Sequence, residues 1–441
     1  TVMAQEKISI IGGGSAYVPG ILYSFAGLGE DIYGSEISLM DISPARLPVM
    51  EKLGELMVKE AGAKIKVTST TDPKRSLDNA TFVLTNFRPG GIECLRLDEE
   101  IPAKYGILGQ ETTGPGGTFF ALRSVPQVLS LCESMENICP DAWLINYTNP
   151  TNFIADAVNR KSKVKCLSIC TGGGNGLYYG LTASLDLKLG DVRPRCAGTN
   201  HPGNWLLELR VRGDDGMPLL RKLTEERVKK TKDQERRYAE FVKKIWDTYG
   251  VYPANHGYLY PYFHHDEALA RYQAGESLYN RFMKDLPIHW KSFEAMAKGE
   301  KPLQLDSKMH HTSVGHGDIA TQLIFSIATN RQREFHVNVP NEGCVTNLSQ
   351  GSIVEVAALV DASGARPFSL GKLPRGVQAL TQDIIDWEEL TVDAALSGDR
   401  ELVIQALLAH PRWPLTLDKA EKMCDEMLKA QAKYLPQFSA K

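Results

Sequence analysis

The feature that most constrains the fold is a short strand that stops at three consecutive glycines and is followed by a helix. Residues 7–11 form a run rich in β-branched side chains, and Gly12, Gly13 and Gly14 follow it directly. Helix-compatible sequence begins near Pro19. Residues without a Cβ let a backbone approach a pyrophosphate, which then sits on the free amides of the next helix. The pattern favours a dinucleotide-binding unit, although glycine triplets also occur in plain turns.

Short apolar segments alternate with helical segments through the first 195 residues. The further segments that favour strands are residues 37–40, 64–68, 82–85, 143–146 and 166–169. This alternation predicts a doubly wound parallel sheet of the lactate/malate dehydrogenase type. From residue 196 onward the alternation is lost, although a strand pair is possible near residues 335–339 and 353–359. We therefore predict an α/β chain with a Rossmann-like NAD-binding domain over residues 1–195 and an α+β substrate domain over residues 196–441.

Charge, hydropathy and cysteine usage exclude several classes of partner. Fifty Lys and Arg against 53 Asp and Glu give a net charge of -3, so the chain lacks the basic footprint of a nucleic-acid-binding protein. No apolar stretch reaches the roughly 18 residues of a membrane span, and the first residues do not resemble a secretory leader. The eight cysteines lack zinc-site spacing and are expected to be reduced thiols. We expect a cytoplasmic protein without membrane or nucleic-acid partners.

An acidic residue ends the second predicted strand, where the ribose of a bound dinucleotide lies. Asp41 in this position favours NAD over its 2′-phosphorylated form, because a carboxylate repels the extra phosphate. The alternative is that Asp41 caps the helix that begins near Pro44, a role that Ser43 could also fill. We predict that Asp41, Ser15 and the three glycines bind the cofactor.

Three strand ends are unusually polar, namely residues 146–152, 170–175 and 198–205. Strands of a doubly wound sheet present functional residues at their carboxyl ends. Cys170 and His201, on what we expect to be adjacent strand ends, could share a divalent cation, although a cysteine in this position is more often a small buried hydrophobe. Residues 109–117 are rich in glycine and polar side chains and include Glu111, which favours a loop that faces the substrate.

Motifs spread over nearly the whole chain resemble glycoside hydrolase family 4. They are Gly12-Gly13-Gly14-Ser15 with Pro19-Gly20, Arg88-Pro89-Gly90-Gly91, the stretch from Ile101-Pro102 to the glycine-rich residues 109–117, Asn146-Tyr147-Thr148-Asn149-Pro150, Cys170, Asn200-His201 and Val339-Pro340-Asn341. The resemblance implies a glycosidase that uses NAD and a divalent cation, usually Mn²⁺, instead of two flanking carboxylates. It also implies a homodimer or homotetramer.

The resemblance assigns roles to individual residues. It implies that Cys170 and His201 are the metal ligands and that a tyrosine in a Tyr-Leu segment, here Tyr258, is the base. Asn149 and Asn200 are expected to bind substrate beside the metal, with Glu111 in the adjoining loop. In the implied reaction, NAD takes a hydride from C3, the base removes the C2 proton, the C1 group leaves by elimination, and water and the hydride then return.

A tyrosine base requires a nearby positive charge, because the ordinary pKa of tyrosine is about 10. The metal or a cationic side chain could lower this pKa. Arg271 and Arg281 are both close enough in sequence to be candidates. The sequence does not choose between them.

The substrate class depends on two positions. Arg88 resembles the 6-phosphoglycoside branch of the family, where an arginine can pair with a phosphate, and the alternative is an ordinary salt bridge. Thr171 departs from the family pattern, since phospho-sugar members carry Asp or Asn after the cysteine, and other members often carry His. We therefore predict a 6-phosphoglycosidase, with unphosphorylated glycosides or uronides as the alternative substrates. A lactate/malate-type NAD-dependent dehydrogenase is the alternative from another class.

Overall fold

The computed structural model describes residues 5–188, 190–305 and 314–438. The strands in these ranges are β1 (Lys7–Ile11), β2 (Glu36–Met40), β3 (Lys66–Thr70), β4 (Phe82–Thr85), β5 (Trp143–Asn146), β6 (Lys165–Ser168), β7 (Val192–Gly198), β8 (Asn204–Val211), β9 (Asp214–Asp215), β10 (Tyr252–Pro253), β11 (Arg333–Pro340), β12 (Ile353–Asp361) and β13 (Gly364–Pro367). All of the strands expected from the sequence are present, with ends shifted by up to two residues at either end.

The helices in the same ranges surround these strands. They are α1 (Val18–Ala26), α2 (Leu47–Glu60), α3 (Pro73–Leu77), α4 (Gly91–Lys104), α5 (Gly114–Ile138), α6 (Thr151–Lys161), α7 (Gly173–Ser184), α8 (Met217–Lys230), α9 (Asp233–Tyr249), α10 (His256–Phe263), α11 (His265–Gln273), α12 (Leu278–Ala297), α13 (Val314–Ala328), α14 (Arg375–Ser397), α15 (Arg400–Ala409) and α16 (Leu417–Ala430). None of the helices within the described ranges is long and apolar enough to span a bilayer.

The first six strands form the predicted doubly wound parallel sheet. Their spatial order is β3-β2-β1-β4-β5-β6, and every neighbouring pair is parallel. The order reverses between β1 and β4, which is the position where sheets of this type bind a dinucleotide. The prediction of a Rossmann-like fold is confirmed.

Strands from the second half of the chain extend the same sheet. Beyond β6 the order continues as β11, β12, β7, β8 and β10, and these pairings are antiparallel. The predicted strand pair corresponds to β11 and β12. The predicted domain boundary at residue 195 lies inside β7, so the substrate half shares its sheet with the nucleotide half.

Helices cover the parallel part of the sheet on both faces, because alternate strand residues point in opposite directions. Val83 and Leu144 pack into a core with residues of α5, α6 and α14. Leu84 and Ile145, the next residues along β4 and β5, belong to a core on the other face with α1, α2 and α13. Both faces are therefore buried, and functional side chains are expected at the carboxyl ends of the strands.

Candidate active site

The glycine turn after β1 lies against the end of β4, at the point where the strand order reverses. Gly12 has φ +95°, and a Cβ added there would lie 2.1 Å from the carbonyl oxygen of Asn86. Added Cβ atoms at Gly13 and Gly14 would lie 2.8 Å from Leu39 Cβ and 2.9 Å from Asp41 Oδ2. Only glycine fits these three positions, because the turn touches both neighbouring strands.

Asp41 supports this glycine turn. Its Oδ2 accepts a hydrogen bond from the Gly14 amide at 2.9 Å, and its Oδ1 accepts one from the Ser43 amide at 2.9 Å. Helix α2 begins only at Leu47, with Arg46 as its N-cap, so Asp41 does not cap that helix. The Ser15 hydroxyl accepts from the Tyr17 amide at 3.3 Å, which closes the turn toward α1.

Buried side chains join the carboxyl ends of β4, β5 and β6. The Thr85 hydroxyl donates to Asn146 Oδ1 at 2.8 Å, and Asn146 Nδ2 donates to Ser168 Oγ at 3.2 Å. The chain then turns at Asn149, whose Oδ1 accepts from the Thr151 hydroxyl at 3.0 Å. These bonds fix the segment that presents Asn149 above the sheet edge.

The structure brings Cys170 and His201 together, with 3.7 Å between Cys170 Sγ and His201 Nε2. The expectation that they follow adjacent strands is wrong, because β11 and β12 lie between β6 and β7. They meet because β7 runs antiparallel to β6 and ends at the same level of the sheet. His201 lies at the turn between β7 and β8, with φ +67°. A residue other than glycine is uncommon at a positive φ, and such residues are often found at functional sites.

Burial controls the charge of both groups. It raises the pKa of the Cys170 thiol to about 12, with a further contribution from Glu355, and it lowers the pKa of His201 to about 3. The imidazole is therefore neutral, as a metal ligand must be, and a bound cation would favour the thiolate. No group of three or more His, Cys, Asp or Glu within the described ranges could hold a metal. A cation on this pair would keep positions open for substrate oxygens.

The ring of Tyr258, on α10, packs at a tilted angle against His201. Its ring centroid lies 4.2 Å from that of His201, and the side chain is partly exposed. Burial raises the pKa of Tyr258 above the ordinary value for tyrosine, Glu111 and Cys170 raise it further, and Arg281 lowers it. Arg271 instead contacts Glu276 and Tyr238. Of the two candidate arginines, Arg281 is therefore the one whose charge lowers the pKa of the predicted base.

Arg88, after β4, and Glu111, before α5, form an ion pair. Arg88 Nη2 donates to Glu111 Oε1, and the two side chains are 18% and 13% exposed. The guanidinium lies 4.5 Å from the centroid of the Phe120 ring. Arg88 Nη1 is buried and has no hydrogen-bond partner within the described residues. The pair thus keeps one buried donor for a ligand.

The prediction that residues 109–117 form one loop is wrong for its second half. Helix α5 begins at Gly114, and this helix continues for 25 residues. Gly114 has φ +60°, and an added Cβ would lie 1.8 Å from the ring of Trp413. The glycines that suggested a flexible loop instead permit a close approach between α5 and its neighbours, while Glu111 lies in the irregular segment before the helix.

Glu355, the third residue of β12, is a buried residue beside the site that the sequence analysis missed. Its side chain is fully buried and contacts Asn200, which is also buried and precedes His201. Burial raises the pKa of Glu355 to about 7. The signal available in the sequence was one acidic residue inside an otherwise apolar strand, but the strand alone does not show which loops it reaches.

Family models match both halves of this fold. The model described as family 4 glycosyl hydrolase matches residues 7–181, and that of the family's C-terminal domain matches residues 196–413. The chain belongs to glycosyl hydrolase family 4. A probable 6-phospho-beta-glucosidase from Bacillus subtilis (strain 168) is 32% identical over 98% of each chain. An alpha-galactosidase from the same strain is 29% identical over 98% of this chain and 100% of its own.

Solved structures agree with this family assignment. Two structures of 6-phospho-alpha-glucosidase from gut microorganisms, one with NAD and Mn²⁺ and one with NAD and glucose-6-phosphate, have TM-scores of 0.87 and 0.88. They are 24% and 25% identical to this chain, and each covers 98% of it and 99% of its own length. A malate dehydrogenase from Picrophilus torridus, 13% identical, has a TM-score of 0.55 over 90% of this chain and 99% of its own, which shows a shared fold alone.

These findings confirm the predicted family, the fold class and the activity class. The chain is a glycoside hydrolase, and the alternative of a lactate/malate-type dehydrogenase is rejected, because only the Rossmann-like fold is shared with those enzymes. The predicted cofactors, NAD and Mn²⁺, agree with what solved structures of the family contain. The individual site residues stay predictions, to which the geometry above gives positions.

Proposed function

We propose that this chain hydrolyses 6-phosphorylated hexosides by oxidation at C3 and removal of the C2 proton, with NAD and a divalent cation such as Mn²⁺. The observation that carries the proposal is the meeting of Cys170, His201 and Tyr258 at the same sheet edge as the glycine turn. When bound, NAD accepts and returns a hydride, and the cation polarises sugar oxygens.

The turn after β1 fits a dinucleotide. Its glycines leave the backbone without side chains between β1 and β4, and no side chain caps the first turn of α1. The amides at a helix N-terminus favour phosphate oxygens. We assign the cofactor to Gly12, Gly13, Gly14 and Ser15, with Asp41 holding the turn in shape and facing the ribose.

The pair formed by Cys170 and His201 fits a divalent cation. A thiolate and a neutral imidazole are both good ligands for first-row metals, and their separation of 3.7 Å lets one ion contact both. Asn200, on the loop after β7, contacts the Cys170 sulfur, and Asn149 lies on the loop after β5. We assign both side chains to the sugar hydroxyls.

Tyr258 is the proposed base for the C2 proton. Burial alone keeps its hydroxyl protonated, so the base form requires positive charge nearby. Arg281, whose charge lowers the pKa of Tyr258, supplies part of it, and a cation on Cys170 and His201 would add more. Tyr258 thus becomes a base chiefly in the loaded enzyme, which protects the empty site from unproductive proton transfer.

Arg88 is the proposed partner of the 6-phosphate. Its Nη1 is a buried donor without a hydrogen-bond partner among the described residues, and its guanidinium lies over the Phe120 ring. Glu111 pairs with Nη2 and balances the positive charge. Support from relatives is the 6-phospho-beta-glucosidase at 32% identity and the glucose-6-phosphate in a solved relative.

The test is Arg88→Ala, assayed on nitrophenyl glucosides with and without a 6-phosphate. Loss of one member of a desolvated charge pair should cost about 2 to 5 kcal/mol of transition-state stabilisation on the phosphorylated substrate, measured as a lower kcat/KM. Arg96→Ala, which removes exposed ion pairs on α4, is the control and should leave kcat/KM unchanged on both substrates. Equal losses of Arg88→Ala on both substrates would show that Arg88 supports the scaffold only.

Unphosphorylated glycosides are the second candidate substrates. The observation that favours them is Thr171, which stands where phospho-sugar members of the family carry Asp or Asn, together with the 29% identity to an alpha-galactosidase. A wild-type enzyme that prefers glucosides or galactosides without the phosphate would decide for this alternative.

We also propose a homodimer or homotetramer that acts in the cytoplasm. Two large apolar side chains of α12, Met283 and Ile288, are more than half exposed, which fits a surface covered by another subunit. All eight cysteines are free, which fits a reducing compartment. Light scattering on the purified protein and fractionation of producing cells test the two statements, and a monomer or an exported protein would contradict them.

A further inference from the structure

The loops that carry Cys170 and His201 are both bonded to one buried carboxylate on a third strand. Glu355 Oε1 accepts a hydrogen bond from the Gly174 amide at 3.0 Å and another from Asn204 Nδ2 at 3.3 Å. Its Oε2 accepts from Asn200 Nδ2. Glu355 therefore contacts the start of α7, four residues after Cys170, and the residue before His201.

The register of the sheet explains why this contact is possible. Ser168 pairs with Asn338, Asn338 pairs with Glu355, and Glu355 pairs with Gly198. These four residues form one row across β6, β11, β12 and β7. Cys170 follows the first member of the row by two residues, and His201 follows the last member by three, so Glu355 lies level with both ligand loops.

The turn that follows Cys170 packs tightly against the Glu355 carboxylate. Gly173 has φ +59°, and an added Cβ would lie 2.2 Å from Glu355 Oε1. The turn between Cys170 and α7 is therefore built around the carboxylate. On the histidine side, Asn200 lies beside both Glu355 and the Cys170 sulfur, where its hydrogen bond favours the thiolate.

We propose that Glu355 is a positioning residue for the cation site: its carboxylate holds the two loops together so that the Cys170 sulfur and the His201 imidazole stay at the spacing that one divalent ion requires. The inference rests on the proposed function, since it presupposes that these two residues bind the cation. Outer partners of metal ligands typically change metal affinity by about 10- to 100-fold when they are removed.

The test measures Mn²⁺ affinity directly, from the electron paramagnetic resonance signal of free Mn²⁺, on protein saturated with NAD and without substrate. Glu355→Gln should weaken Mn²⁺ binding by about 10- to 100-fold. All three partners of the carboxylate donate hydrogen bonds, so an amide group must turn its own NH₂ toward a donor. Affinity for NAD should stay close to the wild-type value, because the glycine turn lies on the other side of β6.

Glu355→Asp separates position from charge and is the second variant if the first does not fold. It keeps the carboxylate but withdraws it by one methylene, so it cannot reach both loops, and Mn²⁺ binding should again weaken. Asp361→Asn, the loss of a buried carboxylate at the far end of the same strand, is the matched control and should leave Mn²⁺ affinity unchanged. Wild-type Mn²⁺ affinity in Glu355→Asp would overturn the proposal.

Three further outcomes would also overturn it. If Mn²⁺ and NAD affinities fell together in Glu355→Gln, the residue would support the fold and not the spacing of the pair. If Cys170→Ser weakened Mn²⁺ binding while both Glu355 variants kept it, the cation site would stand and only the role of Glu355 would fail. If the wild type bound no Mn²⁺, the proposed function would fail with it.

Discussion

The two ends of the candidate site, the proposed nucleotide end at the glycine turn and the proposed cation end at Cys170 and His201, are built in different ways. At the nucleotide end, three glycines fit between β1, β2 and β4, and the shape comes from backbone atoms with one supporting carboxylate, Asp41. At the cation end, the shape comes from buried side chains on strands far apart in sequence, with Glu355 between the two loops. The glycine turn is made of consecutive residues, whereas Cys170 and His201 are brought together by the register of several strands.

If this comparison is correct, removal of a side chain that binds the cation should weaken cation binding without weakening NAD binding. This should be the largest of the effects. Cys170→Ser and His201→Ala should each weaken Mn²⁺ binding by more than the roughly 10- to 100-fold expected for an outer partner, and turnover should be lost. NAD affinity should stay within error of the wild type. Cys344→Ser, another buried cysteine that bonds Asn341, is the control. A variant of Cys170 or His201 with wild-type Mn²⁺ affinity would show that the ligand assignment is wrong.

Loss of the proposed base should lower the rate without disturbing either end. Tyr258→Phe keeps the ring that packs on His201 and removes only the hydroxyl, so kcat should fall by about 10²- to 10⁴-fold. Mn²⁺ and NAD affinities should be unchanged. Tyr260→Phe, two residues along the same helix and bonded to Glu267, is the control for a lost tyrosine hydroxyl. Unchanged kcat in Tyr258→Phe would show that Tyr258 is not the base.

The nucleotide end should be sensitive to a single added methyl group. Gly12→Ala forces a Cβ against Asn86 at a positive φ, and we expect a cost of about 2 to 5 kcal/mol in unfolding free energy together with loss of NAD binding. Gly62→Ala is the matched control, since Gly62 also has a positive φ but an added Cβ there meets nothing within 4 Å. It should cost about 1 to 2 kcal/mol and leave NAD binding intact. If calorimetry gave equal losses of unfolding free energy for Gly12→Ala and Gly62→Ala, the turn at Gly12 would accommodate a Cβ, contrary to the prediction.

The smallest effect is expected at Asp41. Asp41→Ala removes acceptors from the Gly14 and Ser43 amides, and NAD affinity should fall by about 1 to 3 kcal/mol. Mn²⁺ affinity should not change, which titration of both ligands on the same preparation can check. A parallel loss of both affinities would mean that Asp41 supports the fold as a whole.

The difference between the two ends also explains what the sequence could predict. Gly12 to Gly14, Asp41 and the strands β1 to β6 were predictable, because each signal lies within a few residues of its neighbours. Polar strand ends suggested Cys170 and His201 as a possible pair, and the family resemblance assigned them to the cation. Their supposed adjacency was wrong because β11 and β12, which lie between β6 and β7, come from residues more than 130 positions later.

Two other features depended on contacts that no local pattern contains. The start of α5 at Gly114 follows from its packing against Trp413, about 300 residues away in the chain, which turned a predicted loop into a helix. The charge of Arg281 acts on Tyr258 across the tertiary structure, and Arg271 was equally plausible by distance in sequence. Contacts of this range are set by tertiary packing and not by propensity.

The central claim is that this chain breaks a glycosidic bond by way of C2 deprotonation, and turnover in D₂O tests it most directly. The wild-type enzyme, supplied with NAD, Mn²⁺ and a nitrophenyl 6-phosphoglucoside, should release a sugar phosphate that carries deuterium at C2, as measured by NMR or mass spectrometry. Tyr258→Phe should show both slower release and slower incorporation. Release of a product that retains its original hydrogen at C2, at the full rate of hydrolysis, would contradict the account.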